Sequence, residues 1–158
     1  MIGVVKSVFW LALVVWLGEV VFFSFVVAPS VFGALPSETA GQVVGAIFPR
    51  YYALGAGAGA IALAAAVGLW AEAAARRPWS AVCVMLALML AATVYAGRVV
   101  QPEAQALRPR LHEATVDPGV KERFDRLHRR AVQLNGGVLL LGIAAVCVAA
   151  TNLTLPYR

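Results

Sequence analysis

This sequence predicts an all-α fold, an integral membrane four-helix bundle of antiparallel, up-down helices, and three observations point to it. Hydrophobic residues make up 61% of the 158-residue chain and charged residues only 13%, at a mean hydropathy of +0.81. A soluble domain of this length needs a larger charged surface. Charges divide the chain into four apolar runs, each near the ~20 residues a helix needs to cross the hydrocarbon core. Backbone groups find no water there, so helices are the expected solution. The length suits a single membrane domain, residues 1–158, with no repeat or low-complexity linker.

The first span is read over about 8–28, broken only by Glu19. It is expected to stay as a helix rather than be cleaved as a secretory signal: the apolar stretch is long, and Pro29 follows Ala28. The stretch "PSVFGALPSETAGQVVGAIFPR" reads as a long loop 1, with a short helix lying at the interface. Span two, about 51–71, is free of charge between Arg50 and Glu72. "EAAARRP" is a tight polar turn, so spans two and three should be antiparallel neighbours. Span three is read over about 79–99. Most of the charge falls in a long polar loop, 100–130. Within it, "DPGVKERFDRLHRR" offers Asp117 as N-cap and Pro118 at the first helical position. That helix is expected to run into span four, about 131–151, as a helical extension on the cytoplasmic side.

Packing and orientation follow from small and basic residues. Gly55 and Gly59 stand four apart in "LGAGAGAIALAAAVGL", and Gly136 and Gly137 are adjacent in span four. Small residues let helix backbones approach closely in lipid. Loops 1 and 3 hold nine of the 13 Lys and Arg residues, while the termini and loop 2 hold four. The positive-inside rule then puts loops 1 and 3 in the cytoplasm and the termini outside, in the plasma (inner) membrane of a bacterium. The net charge of +5 is read as basic flanks of membrane helices, so the partner is the lipid bilayer and not nucleic acid. A homo-oligomer or a larger membrane complex is also compatible with the pattern. Cys83 and Cys147 fall in apolar runs and read as small buried thiols. The four tryptophans read as belt or packing residues, with Trp70 and Trp79 flanking loop 2.

Glu19 is the anomaly. About 15 Å of helix separates it from Pro29, so it lies well inside the bilayer. A charged group there is costly unless paired or hydrogen-bonded. The polar groups able to reach its half of the bilayer are Arg50 and Tyr51 at the start of span two, Tyr95 and Arg98 at the end of span three, and His128 and Asn135 at the start of span four. His128, Val132, Asn135 and Leu139 share one helical face, and Trp16, Glu19 and Phe23 share another. These stripes would build one polar pocket under loop 3. Two readings stand side by side. In one, Glu19 with Arg98 or Arg50 is a buried ion pair that fixes helix register. In the other it is part of a site for a solute, a proton or a metal, with His128 and Glu19 as candidate metal ligands. His112-Glu113 with His128 is a second candidate metal group, at a spacing that matches no strong motif.

The segments "FFSFVVAPSVF", "GAIFPRYYALG" and "RFDRLHRRAVQLN" resemble the transmembrane-protein-205-like family, a four-helix membrane domain of unknown function. The resemblance runs from Gly18 to about Gly142. It implies that Pro29, Phe48, Pro49, Tyr51, Arg123, His128 and Asn135 are motif positions. Small bacterial proteins of the copper-resistance-D and anthrone-oxygenase-like types share a similar layout.

Three function classes follow. The first is a small binding or transport module handling a metal ion, a proton or a small solute. The second is a membrane redox or haem-type enzyme using His128 with Glu19 and Arg98. The third is a structural or accessory subunit. The sequence requires no cofactor, and it carries no Gly-rich phosphate loop, H-E-x-x-H or G-x-S-x-G. The reading leans away from an enzyme and towards the first class.

Overall fold

The computed structural model describes residues 2–73, 76–112 and 117–152. Among them the chain forms four long helices and no strand: α1 (Ile2–Ala34), α2 (Ser37–Glu72), α3 (Arg76–Leu111) and α4 (Pro118–Asn152). All four are long and apolar enough to cross a membrane. Each turns large apolar side chains outward, including Leu11, Leu54, Leu88 and Leu140. Such a continuous apolar exterior fits a lipid surround.

Contacts between helices show that neighbours run antiparallel. Trp16 of α1 lies under Gly59 of α2, Glu19 under Gly55, and Phe23 against Tyr51 and Phe48. Residue numbers rise on α1 as they fall on α2. Between α2 and α3, Tyr52 meets Gly97 and Gly45 meets Gln105. Between α3 and α4, Tyr95 meets Arg130 and Glu103 meets Arg123. Each helix packs on its sequence neighbour, whereas α4 returns to α1 along a shorter seam. Leu17 and Gly142 close that seam.

The helices outrun the expected spans at the basic end of the bundle. Loop 1 was expected to be long; the actual connection is Leu35 and Pro36, and α2 is already helical from Ser37. The expected polar loop 100–130 is mostly helix: α3 continues to His112 through a final 3₁₀ turn, and α4 begins at Pro118. The physical reason is that charge marks where lipid ends, not where helix ends. Val100, Leu107, Val120 and Leu127 pack into a small second core at the basic end of the bundle, which holds these overhangs together. Asp117 caps α4, its Oδ1 accepting the Gly119 N–H at 2.8 Å.

Prolines shape the overhangs. Phe23–Val27 in α1 and Ala96–Val100 in α3 are π-helical, and Pro29 and Pro102 follow each by two residues. A proline lacks the N–H and crowds the carbonyl four residues earlier, and a wider turn relieves both. At the opposite end, Trp70 donates to Ser80 Oγ at 3.0 Å, and Ser80 donates to the Arg76 carbonyl at 3.0 Å. The Arg76 guanidinium lies 5.2 Å from the Trp70 ring centre. Trp79, expected at the interface, is buried against Phe9 instead, 5.6 Å between ring centres. Cys83 is half-buried, but Cys147, expected to be buried, faces outward.

Candidate functional site

Two features of the α1–α4 half carry chemistry. The first is a lateral crevice. Above Leu17 and Gly142 the two helices separate, and a cavity of about 480 Å³ opens between them. Val20, Ser24, Ala28 and Phe32 form its α1 wall; His128, Val132, Asn135 and Leu139 form its α4 wall. From Leu139 to Phe124 it follows α4 for ~22 Å. Gly136 borders it with open space where a side chain would stand.

The crevice is polarised along its length. Its inner end is apolar. Its outer end carries Arg108 and His128, and no carboxylate among the described residues lines it. Arg108 reaches it from the overhang of α3. The Arg108 guanidinium lies 5.7 Å from the Phe124 ring centre and its Nη1 covers Gly41, where a side chain would collide with it. Arg108 Nε is buried with no hydrogen-bond partner among the described residues. Tyr52 and Asn135 add polarity midway, and the Tyr51 hydroxyl donates to Asn135 Oδ1 at 2.9 Å.

The second feature is Glu19. Its Oε1 lies 2.8 Å from the point a Gly55 Cβ would occupy, with Trp16 Nε1 at 3.3 Å and the Thr93 methyl at 3.4 Å from the same point. Three helices thus converge on bare backbone. Glu19 Oε2 and Trp16 Nε1 are both buried and unpartnered among the described residues. The carboxylate faces α2 rather than the crevice.

Comparison with known families settles kinship at this point. Residues 11–113 match a domain of unknown function, DUF4149. The chain belongs to that family. The DUF4149 region takes in nearly all of α1, α2 and α3, including Glu19, Gly55 and Arg108; the α4 wall of the crevice lies beyond it. No curated protein and no solved structure matches the chain.

Within this DUF4149 bundle the sequence-predicted residues separate into two groups. Tyr51 is buried and joined to Asn135, and Asn135 and His128 lie on the crevice wall. Arg50 and Arg98 are exposed, and neither pairs with Glu19. Tyr95 is outward too, its hydroxyl accepting from Arg130 at 3.2 Å. Among the described residues the expected ion pair is therefore not formed, because both arginines point out of the bundle instead of turning inward. Among the described residues no three His, Cys, Asp or Glu side chains converge as a metal site. His128 lines the crevice and Glu19 does not, so the two candidate ligands sit apart. The His112-Glu113 pair lies outside the described side chains. Gly55 and Gly59 are points of close approach, whereas Gly136 and Gly137, expected to pack helices, have nothing within 4 Å of an added Cβ.

Sequence reasoning missed Arg108, Gln105 and Phe124. The usable signal was Arg108 itself, a cation in "EAQALRP" between apolar positions Leu107 and Leu111 of a continuing helix.

Proposed function

We propose that the chain is a membrane binding module that takes a small apolar solute sideways from the bilayer into the α1–α4 crevice. One observation carries this reading: a ~480 Å³ cavity opens on a lipid-facing seam, and ligand pockets run to about 300–1,000 Å³. Asn135 and His128 supply the polar contacts of its α4 side, and Tyr52 supplies one from α2. Handling of a metal ion or proton at Glu19 has less support, since its neighbours are Gly55, Trp16 and Thr93. The transmembrane-protein-205-like resemblance fits this reading at the level of family. So does a plasma-membrane setting with the basic overhangs on the cytoplasmic side, as nine Lys and Arg residues at that end of the bundle suggest.

The test is photolabelling of the purified chain in lipid nanodiscs with a diazirine-bearing hexadecanol. The expected result is saturable labelling of Phe25, Phe32 and Val132, lost when Val132→Trp fills the crevice. Labelling that never saturates, and that falls equally on Leu54 and Leu140, would overturn the proposal.

A further inference from the structure

We infer that the crevice is built for an anionic single-chain lipid, a hydrocarbon tail ending in a phosphate or carboxylate, with Arg108 as the counter-ion of its head. The inference rests on the binding reading above and adds the charge of the ligand and the residue that reads it.

The geometry has the layout of an amphiphile. The inner end of the crevice, around Val20, Phe23 and Leu139, is apolar and lies within the spans. The outer end lies at the overhangs, where Arg108 and His128 face the same space. The distance between these ends, ~22 Å along α4, separates a hydrocarbon end from a headgroup end. Among the described residues the lining offers one guanidinium, one imidazole and no acid.

Arg108 is prepared for an anion. Its guanidinium rests on Phe124, and Gly41 leaves the room it occupies on α2. Three helices thus hold one side chain. Its Nε lacks a partner among the described residues, and no described carboxylate forms an ion pair with it. Among the described acids of the overhangs, Glu103 pairs with Arg123 and Glu122 with Arg126. A guanidinium with free donors is the group that binds phosphate or carboxylate through paired hydrogen bonds. Arg129 and Arg130, although near, do not line the crevice, so headgroup attraction to the basic surface is a separate effect.

The experiment compares three compounds as competitors of the diazirine label at pH 7.5: hexadecyl phosphate, hexadecanol and inorganic phosphate. Hexadecyl phosphate should compete about tenfold or more better than hexadecanol, and inorganic phosphate should not compete. Arg108→Gln should bring competition by hexadecyl phosphate down to the level of hexadecanol measured on the same variant. Arg108→Lys should keep most of the preference for the phosphate head, and Arg129→Gln should keep all of it. Equal competition by the two chain compounds in the unmodified protein overturns the inference without needing any variant to fold. So does an Arg129→Gln effect as large as that of Arg108→Gln, or displacement by inorganic phosphate alone. If neither chain compound competes, the binding reading itself fails; if hexadecanol competes as well as its phosphate, only the present inference does.

Discussion

Gln105 of α3 donates from Nε2 to the carbonyl of Gly45 on α2, at 2.8 Å, and that carbonyl is the one Pro49 leaves free. In an α-helix the N–H of residue 49 would bond it, but proline has none. Gly45 also gives Gln105 the space to arrive, since a Cβ there would stand 2.6 Å from Nε2. The weak point of α2 thus becomes a joint to α3.

Gln105→Met should strand the Gly45 carbonyl and cost about 1–3 kcal/mol. In a Pro49→Ala background, where residue 49 supplies its own N–H, the same change should cost distinctly less. Reversible unfolding in mixed micelles of the two single variants and the double variant measures the difference. Equal costs in both backgrounds would show that the two features are unrelated.

Gly59→Ala would put a methyl 2.7 Å from the buried Trp16 ring. The expected loss is about 1–3 kcal/mol from overpacking. Gly57, with open space around it, is the control: Gly57→Ala should be neutral or slightly stabilising. A thermal melt in which both variants behave alike would refute the close-contact account.

Among the described residues Glu19 has no cation to strand. An ion pair at Glu19 would make Glu19→Leu more destabilising than Glu19→Gln, by stranding the partner. The observed surroundings reverse this. Both variants should keep the fold and unfold within about 1 kcal/mol of each other, because an apolar replacement removes a carboxyl whose buried Oε2 has no partner among the described residues, at little cost. A marked loss confined to Glu19→Leu would reveal a partner for the carboxylate.

Asp117→Ala removes the side chain that accepts the Gly119 N–H. The expected cost is about 1 kcal/mol, read as faster amide exchange at Val120 and Lys121, whose N–H groups bond to the Asp117 carbonyl at 3.0 and 3.2 Å. Exchange beyond Asn135 should stay as it was. Uniform acceleration along α4 would mean that the cap governs the whole helix.

The spans were legible because burying four long apolar runs has one inexpensive solution in lipid. The cap at Asp117-Pro118 was legible because its chemistry is local. The overhangs were not, since "SETAGQVVGAIFPR" and "EAQALRPRL" mix Gly, Pro and charge in ways that suit loop and helix alike; packing of Leu107 on Leu127 decides in favour of helix. The stripe from His128 to Leu139 was visible in its spacing, and all four of its positions line the crevice. Its counterpart, Arg108, comes from a segment expected to be loop, so no periodicity connected it to the site. The pairing of Glu19 with an arginine failed for a different reason: sequence gives depth in the bilayer but not the direction in which a long side chain extends.

The π turn at Phe23–Val27 sets an angular phase. Along an unbroken α-helix, the twelve residues from Val20 to Phe32 would swing the facing direction by ~120°. The one extra residue taken up by the wider turn subtracts about 100° of that. Val20, Ser24, Ala28 and Phe32 consequently keep a common azimuth towards α4 over the whole length of the crevice. Deleting Val26 would restore an ordinary ladder and leave the bundle's inner half untouched. The outer third of the α1 wall would rotate towards lipid, and the channel that now runs from hydrocarbon to headgroup depth would be cut in two.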